Sequence, residues 1–168
     1  IGTQALDANT VDDNTAVGYN SLVTNTSGSQ NDALGSCALR DNTVGCRNVA
    51  IGKGAMLLNT EGECNVAVGH TALSAQTTAD FNTAIGVKAL NTNTTASRNT
   101  AVGFKSLASN TTGCMNSAIG ESSLICNTEG NRNVAVGRQS LHCNTTGGFN
   151  TALGIDSMYE NTTGSSNT

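Results

Sequence analysis

Proline and tryptophan are absent from this chain, aromatic residues make up only 3% of it and charged residues only 12%. A compact domain offsets chain entropy by burying large side chains, and few are on offer here. An ordinary globular core is therefore excluded. No apolar run approaches the ~20 residues of a membrane span, so no membrane insertion is expected of this segment. The net charge of −4 argues against a nucleic-acid partner, which would call for clustered Lys and Arg.

Glycine, asparagine, threonine, alanine and serine fill the chain in a fixed order. Gly18, Gly35, Gly52, Gly69, Gly86, Gly103, Gly120, Gly137 and Gly154 follow one another at intervals of 17 residues, and Gly2 precedes Gly18 by 16. A fixed period of this size is the signature of a repeat architecture. Residues 1–168 thus read as a single array of about ten coils. The chain opens inside a copy at Ile1-Gly2 and closes at Asn167-Thr168, where another would begin, so a segment of a longer fibre is expected.

Offsets counted from each glycine define files of equivalent residues. Asn stands at −4 in Asn14, Asn31, Asn48, Asn65, Asn82, Asn99, Asn116, Asn133 and Asn150. Ala stands at −2, and Val, Ile or Leu at −1. Ala or Ser occupies +3, Leu or Met +4, Asn or Gln76 +7, and Thr +8, while Gly is usual at +10. All twenty charged residues avoid the files at −4, −2, −1, +3, +4, +7 and +8. That sorting separates the files that lose water from those that keep it.

The Thr-Ala-Val-Gly unit is β-branched and glycine-punctuated, with no 3.6-residue stripe, so short strands joined by turns are expected. The fold class that follows is all-β, a parallel β-solenoid of stacked coils. Coils ~4.8 Å apart would give ten of them a rise of roughly 48 Å. Alternation along a strand places Ala at −2 inward and Val or Ile at −1 outward. The same rule applied to +3 and +4 places the small residue inward and Leu outward. Two exposed apolar files call for a partner, and identical chains packed side by side, closed by a three-fold, would supply one. Asn at −4 and +7 is expected to form ladders, each amide bonding the one above. Gly at offset zero is expected where φ is positive or another backbone comes close.

The run Asn99-Thr100-Ala101-Val102-Gly103, with Ser106-Leu107 following, resembles the head repeats of trimeric autotransporter adhesins. The fuller unit, through Asn110-Thr111-Thr112-Gly113, is similar to repeats of phage tail fibres and related surface proteins. The resemblance covers essentially the whole chain. It implies a left-handed β-roll wound into a trimer, on an extracellular, cell-surface or virion-surface fibre that meets a host receptor or glycan. The unit here is longer than that of the adhesin heads, by its Asn-Thr-Thr-Gly segment.

Candidates for chemistry are few. The six cysteines form no C-x-x-C pair and are read as lacking a histidine partner, so no zinc site is expected. Cys126 and Cys143 share offset +6 on consecutive coils, and Cys46 and Cys64 also fall on adjoining coils. Each pair is a candidate disulfide or a pair of surface thiols. His70 and His142 are too far apart to share a catalytic set, as are Glu61 and Glu129 for a carboxylate pair. No Gly-Lys-Ser/Thr follows the glycines, so no phosphate loop is indicated. No cofactor and no catalysis are expected. Asn25, Asn93, Asn110, Asn144 and Asn161 open Asn-Thr-Ser/Thr sequons, which are either N-glycan acceptors or by-products of the +7 ladder.

A structural or adhesive fibre is the leading functional reading. Its variable files at +1, +2, +5, +6, +11 and +12 would form the binding face, with Tyr19, Phe81, Phe104, Phe149 and Tyr159 as contacts. Two alternatives remain, an end-to-end filament and an ice-binding solenoid. The second rests on the regular Thr at +8 but lacks a second Thr file, since −3 mixes Thr with Asp32, Val49, Val66, Ser117 and Val134.

Overall fold

The computed structural model describes residues 1–168 and contains no helix. Nine coils each contribute a three-residue strand at −3 to −1, where Thr or Val in seven of the nine, then Ala and a branched apolar residue, favour extended backbone. The strands are β1 (Thr15–Val17), β2 (Asp32–Leu34), β3 (Val49–Ile51), β4 (Val66–Val68), β5 (Thr83–Ile85), β6 (Thr100–Val102), β7 (Ser117–Ile119), β8 (Val134–Val136) and β9 (Thr151–Leu153). They form one parallel sheet in sequential order. Every strand pairs in the register of the repeat, as Ala84↔Ala101 and Ala101↔Ala118 show. The chain is a parallel β-solenoid.

Most of its cohesion lies outside the strands. Of 107 backbone hydrogen bonds, 91 are made by turns and connecting segments. The Leu39 N–H donates to the Ala55 carbonyl of the next coil at 3.0 Å, and Thr43 donates to Thr60 at 3.0 Å. The Cys37 and Arg47 N–H groups instead donate backward, to Tyr19 at 2.8 Å and Ser29 at 3.0 Å. Residues at +2, +4 and +12 sit at positive φ in every coil, as in Lys88 (60°), Leu90 (48°) and Arg98 (62°). A non-glycine residue there costs about 1 kcal/mol, and the bonds between coils must offset it.

The interior is a set of vertical files. Ala at −2, Ala or Ser at +3, and Leu or Met at +4 are buried, with Asn at −4 and +7 beside them. The expected outward Leu file is therefore corrected. Leu39, Leu73, Leu107 and Leu141 are fully buried. The reason is conformational: no second strand forms at +3 and +4, and positive φ at +4 cancels the alternation that would have turned Leu outward. The −1 file does face out, with Leu34, Ile51, Ile85, Ile119 and Leu153 between 39% and 78% exposed.

Glycine at offset zero answers to both expected causes. Gly103 has φ +133°, and a Cβ there would lie 2.6 Å from the Gly120 carbonyl oxygen.

Candidate functional site

The asparagine files are the first sites to resolve, and they differ from each other. At +7 the amides form a true side-chain ladder. Asn110 Nδ2 donates to Asn93 Oδ1 at 3.0 Å, Asn127 to Asn110 at 2.9 Å and Asn144 to Asn127 at 2.8 Å. Each Nδ2 also reaches the +10 carbonyl of its own coil, as Asn110 reaches Gly113 at 2.9 Å. The ladder breaks once, between Gln76 and Asn93: Gln76 Nε2 donates to Asn59 Oδ1 at 3.1 Å, but its Oε1 accepts from Asn82 Nδ2 at 2.9 Å.

At −4 amide-to-amide bonds occur too, from Asn48 to Asn31, Asn65 to Asn48, Asn133 to Asn116 and Asn150 to Asn133, each at 3.1 Å, and backbone groups join them. Asn99 Oδ1 accepts the backbone N–H of Asn116 at 2.9 Å, while Asn99 Nδ2 crosses the coil to the Gly113 carbonyl at 2.9 Å. The same pair of roles recurs along the file from Asn14, which donates to the Gly28 carbonyl, to Asn150, which donates to that of Gly164. These residues hold coils in shape and in register.

The sequons fall within the +7 file. Asn25, Asn93, Asn110 and Asn144 are fully buried with their Nδ2 groups hydrogen-bonded. Asn161, in the last coil, is half-buried and donates to Asn144 Oδ1 at 3.1 Å. A glycan on any of the four buried nitrogens has no room beside the ladder, so at those positions the acceptor reading is corrected to the by-product one. The +8 threonines are equally occupied: Thr111 Oγ1 donates to the Thr128 carbonyl at 3.0 Å and Thr43 Oγ1 to that of Thr60 at 3.0 Å.

All six cysteines are half-buried free thiols, so neither Cys126 with Cys143 nor Cys46 with Cys64 is bridged. Burial, with the neighbouring Cys143, pushes the Cys126 thiol up. Cys143 has a histidine beside it after all, with Sγ 3.6 Å from His142 Nδ1. No three His, Cys, Asp or Glu side chains gather where they could hold a metal ion.

What remains to face a partner is the outer surface, and its charges are sorted. Arg47, Lys53, Lys88, Arg98, Lys105, Arg132 and Arg138, seven of the eight bases, stand at +1, +2 or +12, the positions flanking the sheet. Most of the acids, among them Glu61, Glu63, Asp80 and Glu129, stand between +5 and +11. The eighth base, Arg40, is paired with Asp41 at 2.6 Å.

The +12 file carries a second pattern, cations alternating with apolar groups. The Arg98 guanidinium lies 6.0 Å from the Phe81 ring centroid, and that of Arg132 lies 5.1 Å from Phe149. Met115 stands between them in the file. Sequence reasoning put Phe81, Phe149 and the +12 arginines on one face, but not the contact of each guanidinium with a ring. The signal was present in the file itself, read vertically at intervals of 17 residues. Of the other expected contacts, Tyr19 and Phe104 are exposed at +1, with Lys105 Nζ 5.2 Å from the Phe104 centroid. Tyr159 stacks on His142, centroids 4.5 Å apart.

No protein-family model matches the chain, and no curated protein or solved structure matches it either.

Proposed function

We propose that this chain is a structural and adhesive segment of an extracellular fibre, borne on a cell or virion surface. Three copies lie side by side as left-handed coils, and their variable outer files meet a receptor or glycan. No chemistry is assigned to it beyond binding. The observation that carries this reading is the file of branched apolar residues at −1, which faces outward from β1 to β9 on a sheet that nothing in the chain covers. Apolar surface that is continuous over a whole rod favours association. Copies with the same coil rise meet such a file level by level.

The ice-binding alternative has less to support it. The +8 hydroxyls hold the carbonyls of the next coil, which accounts for their regularity without an ice-facing role.

Mass in solution, measured by light scattering, together with negative-stain images, tests the proposal. The expected result is a straight rod with the mass of three chains. A compact particle with the mass of one chain would overturn it.

A further inference from the structure

We infer that the recess bounded by Met115, Arg132 and Phe149 binds an acidic oligosaccharide, whose anionic groups engage Arg132 and, two coils below, Arg98. The inference rests on the fibre reading above and names the ligand class of its outer surface.

The recess is lined by Cys114, Met115, Asn131, Arg132 and Phe149 and holds about 270 Å³, at the small end of ligand clefts. It adjoins the one coil where the +11 file has no side chain. Gly148 stands there, whereas Ser, Cys, Glu, Asp or Asn fills that offset elsewhere. The lining comes from +11 and +12 and includes no strand residue. The recess therefore lies off the apolar sheet face through which sister chains would pack.

Its cation is unneutralised. Arg40, Arg47 and Arg138 each have a carboxylate partner, in Asp41, Glu63 and Asp156. Arg98 and Arg132 have none and rest instead on Phe81 and Phe149. An aromatic face holds a guanidinium in place without consuming its N–H donors. Those donors form the planar fork that matches a carboxylate or sulfate. The wider field agrees in sign, because residues 81–150 carry five bases and only two acids, Glu121 and Glu129.

The shape selects among anions. Phe149 and Met115, 56% and 41% exposed, offer apolar area for the C–H face of a sugar ring. A peptide strand would need an open sheet edge, but backbone N–H groups along this file are already spent between coils, as Met115 to Ser97 and Arg132 to Cys114 show. The two arginines stand about 10 Å apart, two coil spacings, an interval that suits a chain whose charges recur once per sugar or per pair of sugars.

Titration calorimetry with an oligogalacturonate hexamer, its methyl ester and a chondroitin sulfate hexasaccharide tests the site, with mass measured on the same samples. At least one acidic oligomer is expected to bind, more weakly as salt rises, and the methyl ester is not. Arg132→Gln should weaken binding about tenfold, the scale of one charge-assisted contact, and Arg98→Gln less. Lys53→Gln, off the recess, should leave it unchanged. Circular dichroism confirms that each variant is folded. A three-chain rod that binds neither acidic oligomer, or binds the ester equally well, or loses no more affinity with Arg132→Gln than with Lys53→Gln, would overturn the site and leave the fibre reading standing. A compact one-chain particle would instead remove the fibre reading.

Discussion

Single residues in this array matter according to the file they occupy. Gly103 combines φ +133° with a Cβ direction that meets the Gly120 carbonyl at 2.6 Å. Gly103→Ala therefore adds backbone strain and a clash with main-chain atoms, and neither can relax without parting two coils. A loss of about 3 kcal/mol or more is expected, read as a fall in the urea midpoint. Lys88→Ala, at an exposed position, should stay within about 0.5 kcal/mol. Two serines of the +3 file separate as sharply. Ser106 Oγ donates to the Ala118 carbonyl at 2.9 Å and lies 3.1 Å from Ser123 Oγ. Ser140 Oγ is buried with no partner. Since Ala fills the same site in other coils, volume is not at issue. Ser106→Ala should cost about 1 kcal/mol, while Ser140→Ala should be neutral or stabilising. Thermal denaturation of the two variants side by side checks the contrast.

The coil is the element here, and its conformation was only half legible in the sequence. The strand at −3 to −1 could be read from Thr-Ala-Val and its inside-outside alternation, and it was read correctly. The stretch from +1 to +6 could not. Leu at +4 looked like an outward strand residue because period-two reasoning assumes extended backbone, and nothing in Lys88-Ala89-Leu90 announces positive φ at its first and third residues. Asn20 and Gly54, at +2 of their coils, are the residue types that tolerate such angles. They were the available hint. The Asn files show a similar limit: invariance revealed ladders at both offsets, but not that the −4 oxygens also accept the backbone N–H of the next coil while the +7 oxygens accept only side-chain amides. That difference yields a test at the scale of the coil. Asn110→Ala leaves the buried Asn93 Oδ1 without a donor and takes one of two bonds from Asn127 Nδ2 and from the Gly113 carbonyl, and should cost about 1–3 kcal/mol. Thr112→Ala removes the same sequon at an exposed site and should change the urea midpoint by no more than other surface substitutions.

At the scale of the whole molecule, the architecture followed from the period alone, because a 17-residue repeat with sorted charges has few ways to bury its small residues. The surface was harder to foresee. A single exposed apolar file replaces the two expected, and the bases gather beside it while the acids lie farther around the coil. With Leu buried, each coil has an interior of its own, so association is not needed to complete the core of a single chain. The proposed assembly must then depend on the −1 file and its flanks. Ile85 and Ile119 stand there about 40% exposed, on the outer side of β5 and β7. Lysine at those two positions leaves the interior untouched but sets buried charge into any seam between copies, which is costly without a partner. The double variant Ile85→Lys/Ile119→Lys should keep the far-ultraviolet spectrum of the parent while its mass falls from three chains to one. A three-chain mass retained by the variant would mean that copies meet through another face, and the outward isoleucines would need a different occupant.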